Sequence, residues 1–398
     1  MFTPPRQSPF NFTALPPLTL YVHLPWCVRK CPYCDFNSHA LRETLPERRY
    51  VDALLSNLDW ELPRIGERRV QAIFIGGGTP SLFSGEAIAR LLAGIGTRLA
   101  LQPDPEITLE ANPSTVEQRK FSHFRAAGVN RLSIGAQSFN DDCLRRLGRI
   151  HGAREVIRAV EAAHAAGFDN LNIDLMFGLP GQDIDGCLQD LRTAVALAPA
   201  HISFYQLTIE PHTLFHSQPP ILPDEDSICE MQTLGQRLLA DHGYNQYEVS
   251  AYARARQHCM HNLNYWQFGD YLGIGAGAHG KLSCAVTQSI WRYWNHRQPR
   301  QYMERAQRGQ TLAGERMLNA DDARFEFMLN ALRLTQGFEL RLFTERTSLS
   351  AQALTPKLAA LVGRGLLWRS QDECIGATAL GRRFLNDLIE HFLPDPNR

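Results

Sequence analysis

The chain has 398 residues, a length that suits two or three domains around a large buried core. Its 41 Lys and Arg offset 41 Asp and Glu, for a net charge of zero. That balance gives no general electrostatic reason to expect nucleic acid or an anionic membrane as the main partner.

Nine cysteines are present. The number is odd, no apolar signal-peptide core precedes them, and no run of about 18 apolar residues exists. These features point to the reducing cytoplasm, where thiolates stay available as ligands. Residues 1–17 are Pro-rich and polar and are expected to form a flexible tail.

From there short apolar strands alternate with helical patterns. Leu20 to Leu24 predicts a first strand, and a helix is expected over Pro46–Leu62. Val70–Ile75 is a buried-strand pattern that runs into Gly76-Gly-Gly-Thr-Pro80, with a helix over Ser84–Leu99. Glu106–Glu110 is a third strand, and Ser114-Thr-Val-Glu117 has the spacing of a capping box. Arg131 to Gly135 is a fourth strand, with helices near Asp141–Leu147 and Ala153–Ala166. Asn170–Met176 is a fifth strand, Ile184–Leu197 a helix and His201–Leu207 a sixth strand. Six strand–helix units predict an α/β fold, a partial (βα)6 barrel over residues 18–215 with right-handed crossovers. In such a fold the chemistry lies at the C-terminal ends of the strands.

Residues 216–296 are less regular and are expected to extend the barrel. They hold a helix near Asp224–His242, the stretch Tyr247-Glu-Val-Ser, and His261-Asn-Leu-Asn-Tyr-Trp266. The Gly-rich run Leu272–Gly280 lacks a dinucleotide-binding strand–helix context and signals close backbone packing. The Arg- and Gln-rich stretch at 297–320 suggests a linker. Residues 321–398 predict a mostly helical, winged-helix-like domain with a short strand pair near Gly365–Trp368 and Glu373–Ile375. Lys357, Arg364 and Arg369 are too sparse for a DNA-reading surface. A lid over the active site or a partner-docking surface is the expected role.

The chemistry concentrates in Tyr21-Val-His-Leu-Pro-Trp-Cys27-Val-Arg-Lys-Cys31-Pro-Tyr-Cys34, with spacing C-x3-C-x2-C. Closely spaced thiolates are the ligands of iron–sulfur clusters, and three of them leave one corner of a four-iron cluster open. The alternative is a structural zinc, closed by His39 or His23. Cys143, Cys187, Cys229, Cys284 and Cys374 are most simply core or surface residues. The triple glycine suits close approach of backbone to a ligand. Glu110 and Asp174 end buried strands, where a carboxylate needs a cation or donors. A ligand or a salt bridge to Arg131 or Arg149 would both satisfy that need.

The cysteine loop resembles the signature of the radical S-adenosylmethionine (SAM) superfamily, including an aromatic residue, Tyr33, before the third cysteine. The resemblance implies that Cys27, Cys31 and Cys34 hold a [4Fe-4S] cluster whose fourth iron is chelated by SAM. Tyr21–Ser38, Gly76–Ser81, Glu110–Pro113, Ser133–Phe139, Leu147–His151, Asn172–Gly181, Gln206–Pro211 and His261–Trp266 together resemble one branch of it. That branch contains oxygen-independent coproporphyrinogen III dehydrogenase (HemN) and the haem chaperones of HemW type. By position, Tyr21, Gly77 and Glu110 correspond to contacts with the cluster-bound SAM. Tyr33, Gly78, Thr79, Gln137, Arg149 and Asp174 match positions that touch a second SAM in the dehydrogenase.

The dehydrogenase carries a fourth cysteine two positions after the third, and here that position is Phe36. It also has a longer N-terminal extension. Both departures, and the His261–Trp266 string, resemble the chaperone type. The resemblance then implies haem binding, delivery to acceptors such as respiratory haem proteins, and a cytoplasmic location with at most peripheral membrane association. The competing expectation is an enzyme that cleaves SAM to decarboxylate coproporphyrinogen. For haem, His261 and Cys259 are the candidate ligands, since iron takes imidazole or thiolate. The alternative leaves His261 and Asn262 as loop-bracing residues.

Overall fold

A computed structural model describes residues 8–114 and 118–394. Of the capping box expected at Ser114–Glu117, residues 115–117 lie outside that range.

The six expected strands form in order: β1 (Leu18–Leu24), β2 (Val70–Gly77), β3 (Leu101–Ala111), β4 (Arg131–Gln137), β5 (Asn170–Phe177) and β6 (His201–Gln206). All are parallel neighbours. Their order follows from period-2 patterning, since alternate residues of a strand face opposite sides. Leu20 and Val22, Ile107 and Leu109, Leu132 and Ile134, Leu171 and Ile173, and Ile202 and Phe204 join one buried cluster with the covering helices. The intervening residues include Tyr21, Glu110, Ser133, Asp174 and Ser203. They leave the other face of the sheet polar.

The helices α1 (Glu47–Ile65), α2 (Gly85–Gly96), α3 (Phe121–Ala126), α4 (Asp141–Arg146), α5 (Ala153–Ala165) and α6 (Ile184–Ala196) supply the crossovers. Ser84 caps α2 by accepting from the Ala87 amide at 3.1 Å, and Asp183 caps α6 by accepting from Gly186 at 2.8 Å.

The sheet continues past both edges of this set, to twelve strands in one open, mixed sheet. After β6 come α7 (Glu225–Asp241) and the antiparallel pair β7 (Asn245–Glu248) and β8 (Ala251–Ala253), so Tyr247-Glu248 belongs to an edge strand. Helix α8 (Met260–Trp266) follows. Then β9 (Asp270–Ile274) lies parallel to β1 as a seventh parallel strand. It passes through the Gly-rich run, where a Cβ at Gly273 would stand 1.9 Å from the His279 carbonyl oxygen. The close packing expected there is therefore between strands. Asp270 anchors it, buried with Lys281 at 2.8 Å and Arg68 at 2.9 Å and accepting from the Ser283 amide at 2.8 Å.

Two sequence expectations are corrected. Residues 297–320 are not a free linker: helix α9 (Pro299–Ala306) packs on α1, and β12 (Leu312–Met317) pairs with β11 (Ser289–Asn295), which pairs with β10 (His279–Cys284). From residue 8 onward the N-terminal tail is docked. Phe10 and Phe12 are buried in the C-terminal cluster with Phe327, Phe338 and Phe343. Aromatic side chains explain this, because burying them outweighs the ordering of a short polar segment.

The C-terminal part begins with α10 (Ala320–Ala331), capped by Asn319. The helices Leu340–Thr347 and Thr355–Gly363 and the hairpin Leu367–Arg369/Cys374–Ala377 follow, with Phe338–Glu339 as a third strand. The helices Ala379–Arg383 and Leu385–Glu390 follow the hairpin, so the C-terminal part is mostly helical, as the sequence pattern predicts. No helix among the described residues is long and apolar enough to cross a membrane.

Candidate functional site

The three cysteines leave β1 on a loop tied back to the sheet. Trp26–Cys27 pairs with His39–Ala40, the His39 amide donates to the Pro25 carbonyl at 2.7 Å, and the Cys34 amide donates to the Cys31 carbonyl at 3.2 Å. Cys27, Cys31 and Cys34 all line one pocket at the C-terminal ends of the strands. Each sulfur has a polar neighbour. Thr79 Oγ1 donates to Cys27 Sγ at 3.4 Å, Arg149 Nη1 stands 3.8 Å from Cys31 Sγ, and Ser38 Oγ is 3.7 Å from Cys34 Sγ. Burial pushes the Cys27 thiol up to about 11 and raises Cys34 as well. Deprotonated sulfur there needs a cation to offset the lost hydration.

These residues fit a cluster better than a zinc ion. Among the described residues, no three His, Cys, Asp or Glu side chains gather tightly enough to hold a single metal ion. Zinc requires that convergence, whereas a four-iron cluster gives each thiolate its own iron. Both ring nitrogens of His23 are engaged, with the Tyr21 hydroxyl at 2.8 Å and the Asn37 carbonyl at 2.9 Å. His39 does not line the pocket.

The glycine segment forms the next wall. The Gly78 amide donates to the Leu24 carbonyl at 2.8 Å and the Thr79 amide to the Trp26 carbonyl at 2.7 Å, which clamps this loop to the cysteine loop. A Cβ on Gly78 would stand 2.6 Å from the Trp26 oxygen. Gly77 has φ +119° and faces the His23 ring, so neither position tolerates a side chain. The Gly77 amide donates to Glu110 Oε2 at 3.1 Å.

Glu110 is held up at about 7 by burial first and then by the neighbouring Asp174, with the Gly77 hydrogen bond opposing. Burial also raises Asp174, which accepts from Ser133 Oγ at 2.9 Å and Asn172 Nδ2 at 2.8 Å. Neither carboxylate forms an ion pair with Arg131 or Arg149 among the described residues. Arg149 instead donates to Asn112 Oδ1 at 2.7 Å and the Gly135 carbonyl at 2.8 Å. Gln137 adopts φ +68° at a register shift between β4 and β5 and accepts from the Tyr205 hydroxyl at 2.8 Å. Such a conformation in a glutamine stores strain, a pattern concentrated at ligand sites.

Of the residues singled out in the sequence for the cluster and SAM, all but Tyr21 line this pocket. The Tyr21 ring packs 6.3 Å from Phe74 and 6.2 Å from His261, centroid to centroid. Sequence reasoning missed Asn112, Ser133, Ser203, Tyr205, Glu248 and Ser250. The alternation of β4 and β6 carries the signal for Ser133, Ser203 and Tyr205. Glu248 had none, because it arrives from the far edge of the sheet. Among the described residues Glu248 Oε2, Trp266 Nε1 and Arg149 Nε are buried without hydrogen-bond partners, which leaves three polar atoms on the pocket wall for a ligand. Arg333, from beyond α10, lies 4.5 Å over the Trp266 ring.

The haem-ligand candidates lie elsewhere. Glu106 Oε1 accepts from the amides of Met260 at 3.0 Å and His261 at 3.3 Å and from Cys259 Sγ at 3.5 Å, so it caps α8. His261 is 8% exposed, with its ring 5.1 Å from Phe74. Burial and the nearby Arg131 lower its pKa to about 3. Neither His261 nor Cys259 lines the pocket, whereas Asn262 and Trp266 of the same segment do.

Comparison with known proteins places this geometry in context. Residues 21–194 match the model of the Radical SAM superfamily, and residues 318–384 match that of the HemN C-terminal domain. The chain is 49% identical to the heme chaperone HemW of Escherichia coli, over 96% of this chain and 99% of that protein. It is 48% identical to the heme chaperone HemW of Haemophilus influenzae, over 96% and 99%. Among solved structures it resembles the Escherichia coli coproporphyrinogen III oxidase (HemN), a radical SAM enzyme. That match has a TM-score of 0.79 and 25% identity, and covers 95% of this chain and 90% of that one.

Proposed function

The chain belongs to the HemW family within the radical SAM superfamily, and from that relationship we propose that it is a haem chaperone, binding haem and passing it to acceptor proteins. The observation that carries this reading is the likeness to curated heme chaperones along nearly the whole chain. Acceptors in respiration and a cytoplasmic location belong to the same proposal.

Cys27, Cys31 and Cys34 would hold a [4Fe-4S] cluster, and the open iron would give the amino and carboxylate groups of SAM a docking point. Around it, the chain's own residues bind and orient. Glu110 and Asp174 offer charge to an ammonium and acceptors to ribose hydroxyls. The Gly76–Gly78 backbone lets that ligand approach closely. Arg149 sets the potential beside Cys31 while it braces Asn112. Thr79 links the two loops through Cys27 and Asn112.

Phe36 stands where the dehydrogenase has its fourth cysteine, and it is 60% exposed at the pocket. It offers no thiolate, which weighs against the enzymatic alternative. The test uses anaerobically purified full-length protein. The expected result is stable haem uptake and transfer to an apo haem protein, with no protoporphyrinogen formed from coproporphyrinogen, SAM and a reductant. Protoporphyrinogen formation, or failure to take up haem, overturns the reading.

A further inference from the structure

Helix α8 presents Trp266 to the cysteine pocket and Tyr265 to a second cleft. Its N-terminal end is joined to the pocket by a buried chain of hydrogen bonds. The Cys259 amide donates to the Tyr247 hydroxyl oxygen at 3.3 Å. That hydroxyl lies 2.9 Å from His201 Nε2, and His201 Nδ1 lies 2.6 Å from Asn172 Oδ1. Asn172 Nδ2 then donates to Asp174 Oδ1 at 2.8 Å. Tyr247 comes from β7, His201 from β6, and Asn172 and Asp174 from β5. Cys259, Tyr247, His201 and Asn172 are each at most 4% exposed, whereas Asp174 reaches the pocket.

The donors and acceptors fix the direction of every bond in this chain. Asn172 spends both amide protons, on Asp174 and on Ser133 Oγ at 2.7 Å, so its Oδ1 only accepts. His201 must therefore carry its proton on Nδ1. Burial first and then Arg131 hold its pKa well below the ordinary value, so the ring is neutral and Nε2 is bare. The Tyr247 hydroxyl donates to that nitrogen and accepts from Cys259. Every donation thus runs from α8 toward Asp174, and aligned hydrogen bonds polarise one another. Ser133 Oγ donates to the other oxygen of Asp174 at 2.9 Å. A carboxylate accepts about four hydrogen bonds, so acceptor sites remain for a ligand.

We propose that His201 and Tyr247 are positioning residues for Asp174, holding its carboxylate in the orientation that meets a donor in the pocket and tying that orientation to the seat of α8. The inference rests on the reading that Asp174 receives a hydroxyl or ammonium proton of SAM. Its physical basis is the Asn172 amide. With His201 removed, only Ser203 Oγ at 3.2 Å donates to the Asn172 oxygen. A flipped amide would set that oxygen against the Asp174 carboxylate, two acceptors facing each other with no proton between them.

The test joins equilibrium dialysis of SAM to nitrogen NMR of histidine-labelled protein, both on the anaerobic, cluster-loaded full-length chain. The His201 signal is the one absent from His201→Asn. Wild type is expected to show it as the neutral Nδ1–H tautomer at pH 7. His201→Leu is expected to weaken SAM binding about tenfold with cluster absorbance unchanged. His201→Asn, whose amide puts a donor near the Nδ1 position, is expected to restore most of that affinity. Tyr247→Phe is expected to move the Nε2 resonance and to weaken SAM binding by a smaller factor. Asp174→Asn is expected to weaken it at least as much as His201→Leu.

A charged ring or the Nε2–H tautomer in the wild type overturns the positioning role. So do equal losses in His201→Leu and His201→Asn, which would mean packing alone. Wild-type affinity in His201→Leu and Tyr247→Phe, with affinity lost in Asp174→Asn, also overturns it and leaves the SAM reading standing. Unchanged affinity in Asp174→Asn overturns the SAM reading at that residue and the positioning role with it. If His201→Leu does not take up the cluster, Tyr247→Phe decides alone.

Discussion

The backbone amide of Gly77 points at Glu110 Oε2 from 3.1 Å, so the glycine loop and a buried carboxylate form one unit. Glu110 is raised from 4.5 to about 7. A carboxyl raised on folding contributes stability that is present below pH 4.5 and lost as pH rises through 7.

Without SAM, wild-type stability should therefore fall by about 3 kcal/mol between pH 4.5 and pH 8 from this group alone. Glu110→Gln keeps an acceptor for Gly77 and should flatten that fall. It should also lower affinity for SAM, whose ammonium loses its counter-charge. Urea unfolding across this pH range measures the first effect, and equilibrium dialysis of SAM the second. Parallel pH curves for the two proteins would contradict the assignment.

Replacing Cys27, Cys31 and Cys34 together by Ser should remove the iron and the brown absorbance of anaerobically prepared protein, because the three sulfurs share one pocket. Iron and sulfide analysis reads the result. About four irons per chain in the variant, or stoichiometric zinc in the wild type, counts against the cluster.

Gly77→Ala should destabilise the chain by about 2–4 kcal/mol, since L residues resist positive φ and the methyl would meet the His23 ring at 2.6 Å. Chemical denaturation gives the number. A loss under about 0.5 kcal/mol would mean the loop relaxes freely.

Lys281→Met should cost about 3–5 kcal/mol, because Asp270 keeps a buried charge with one of its two cations removed. Adding Asp270→Asn should recover part of the loss, because the unpaired charge then goes too. Equal losses in the single and double variants would show that Asp270 does not depend on this pair.

The sequence alone determined the cysteine loop, the phase of six strands and the polar residues at their ends. Those features are local. The thiolate spacing lies within eight residues, and in β3 the period of two puts Leu109 on the helix side and Glu110 on the pocket side whatever the neighbours are. The tertiary structure decided what depends on distant partners. Asp270–Ile274 became a seventh parallel strand because Lys281 and Arg68 neutralise Asp270 there, a pairing no local pattern contains. Leu312–Met317 left the expected linker because β11 offered an unpaired edge. Phe10 and Phe12 docked on a cluster built more than 300 residues later. Within His261–Trp266, sequence showed a concentration of ligand-type side chains. Only folding showed that the helix turns His261 inward, Trp266 toward the cysteines and Tyr265 toward the second cleft, because successive side chains on a helix point in different directions.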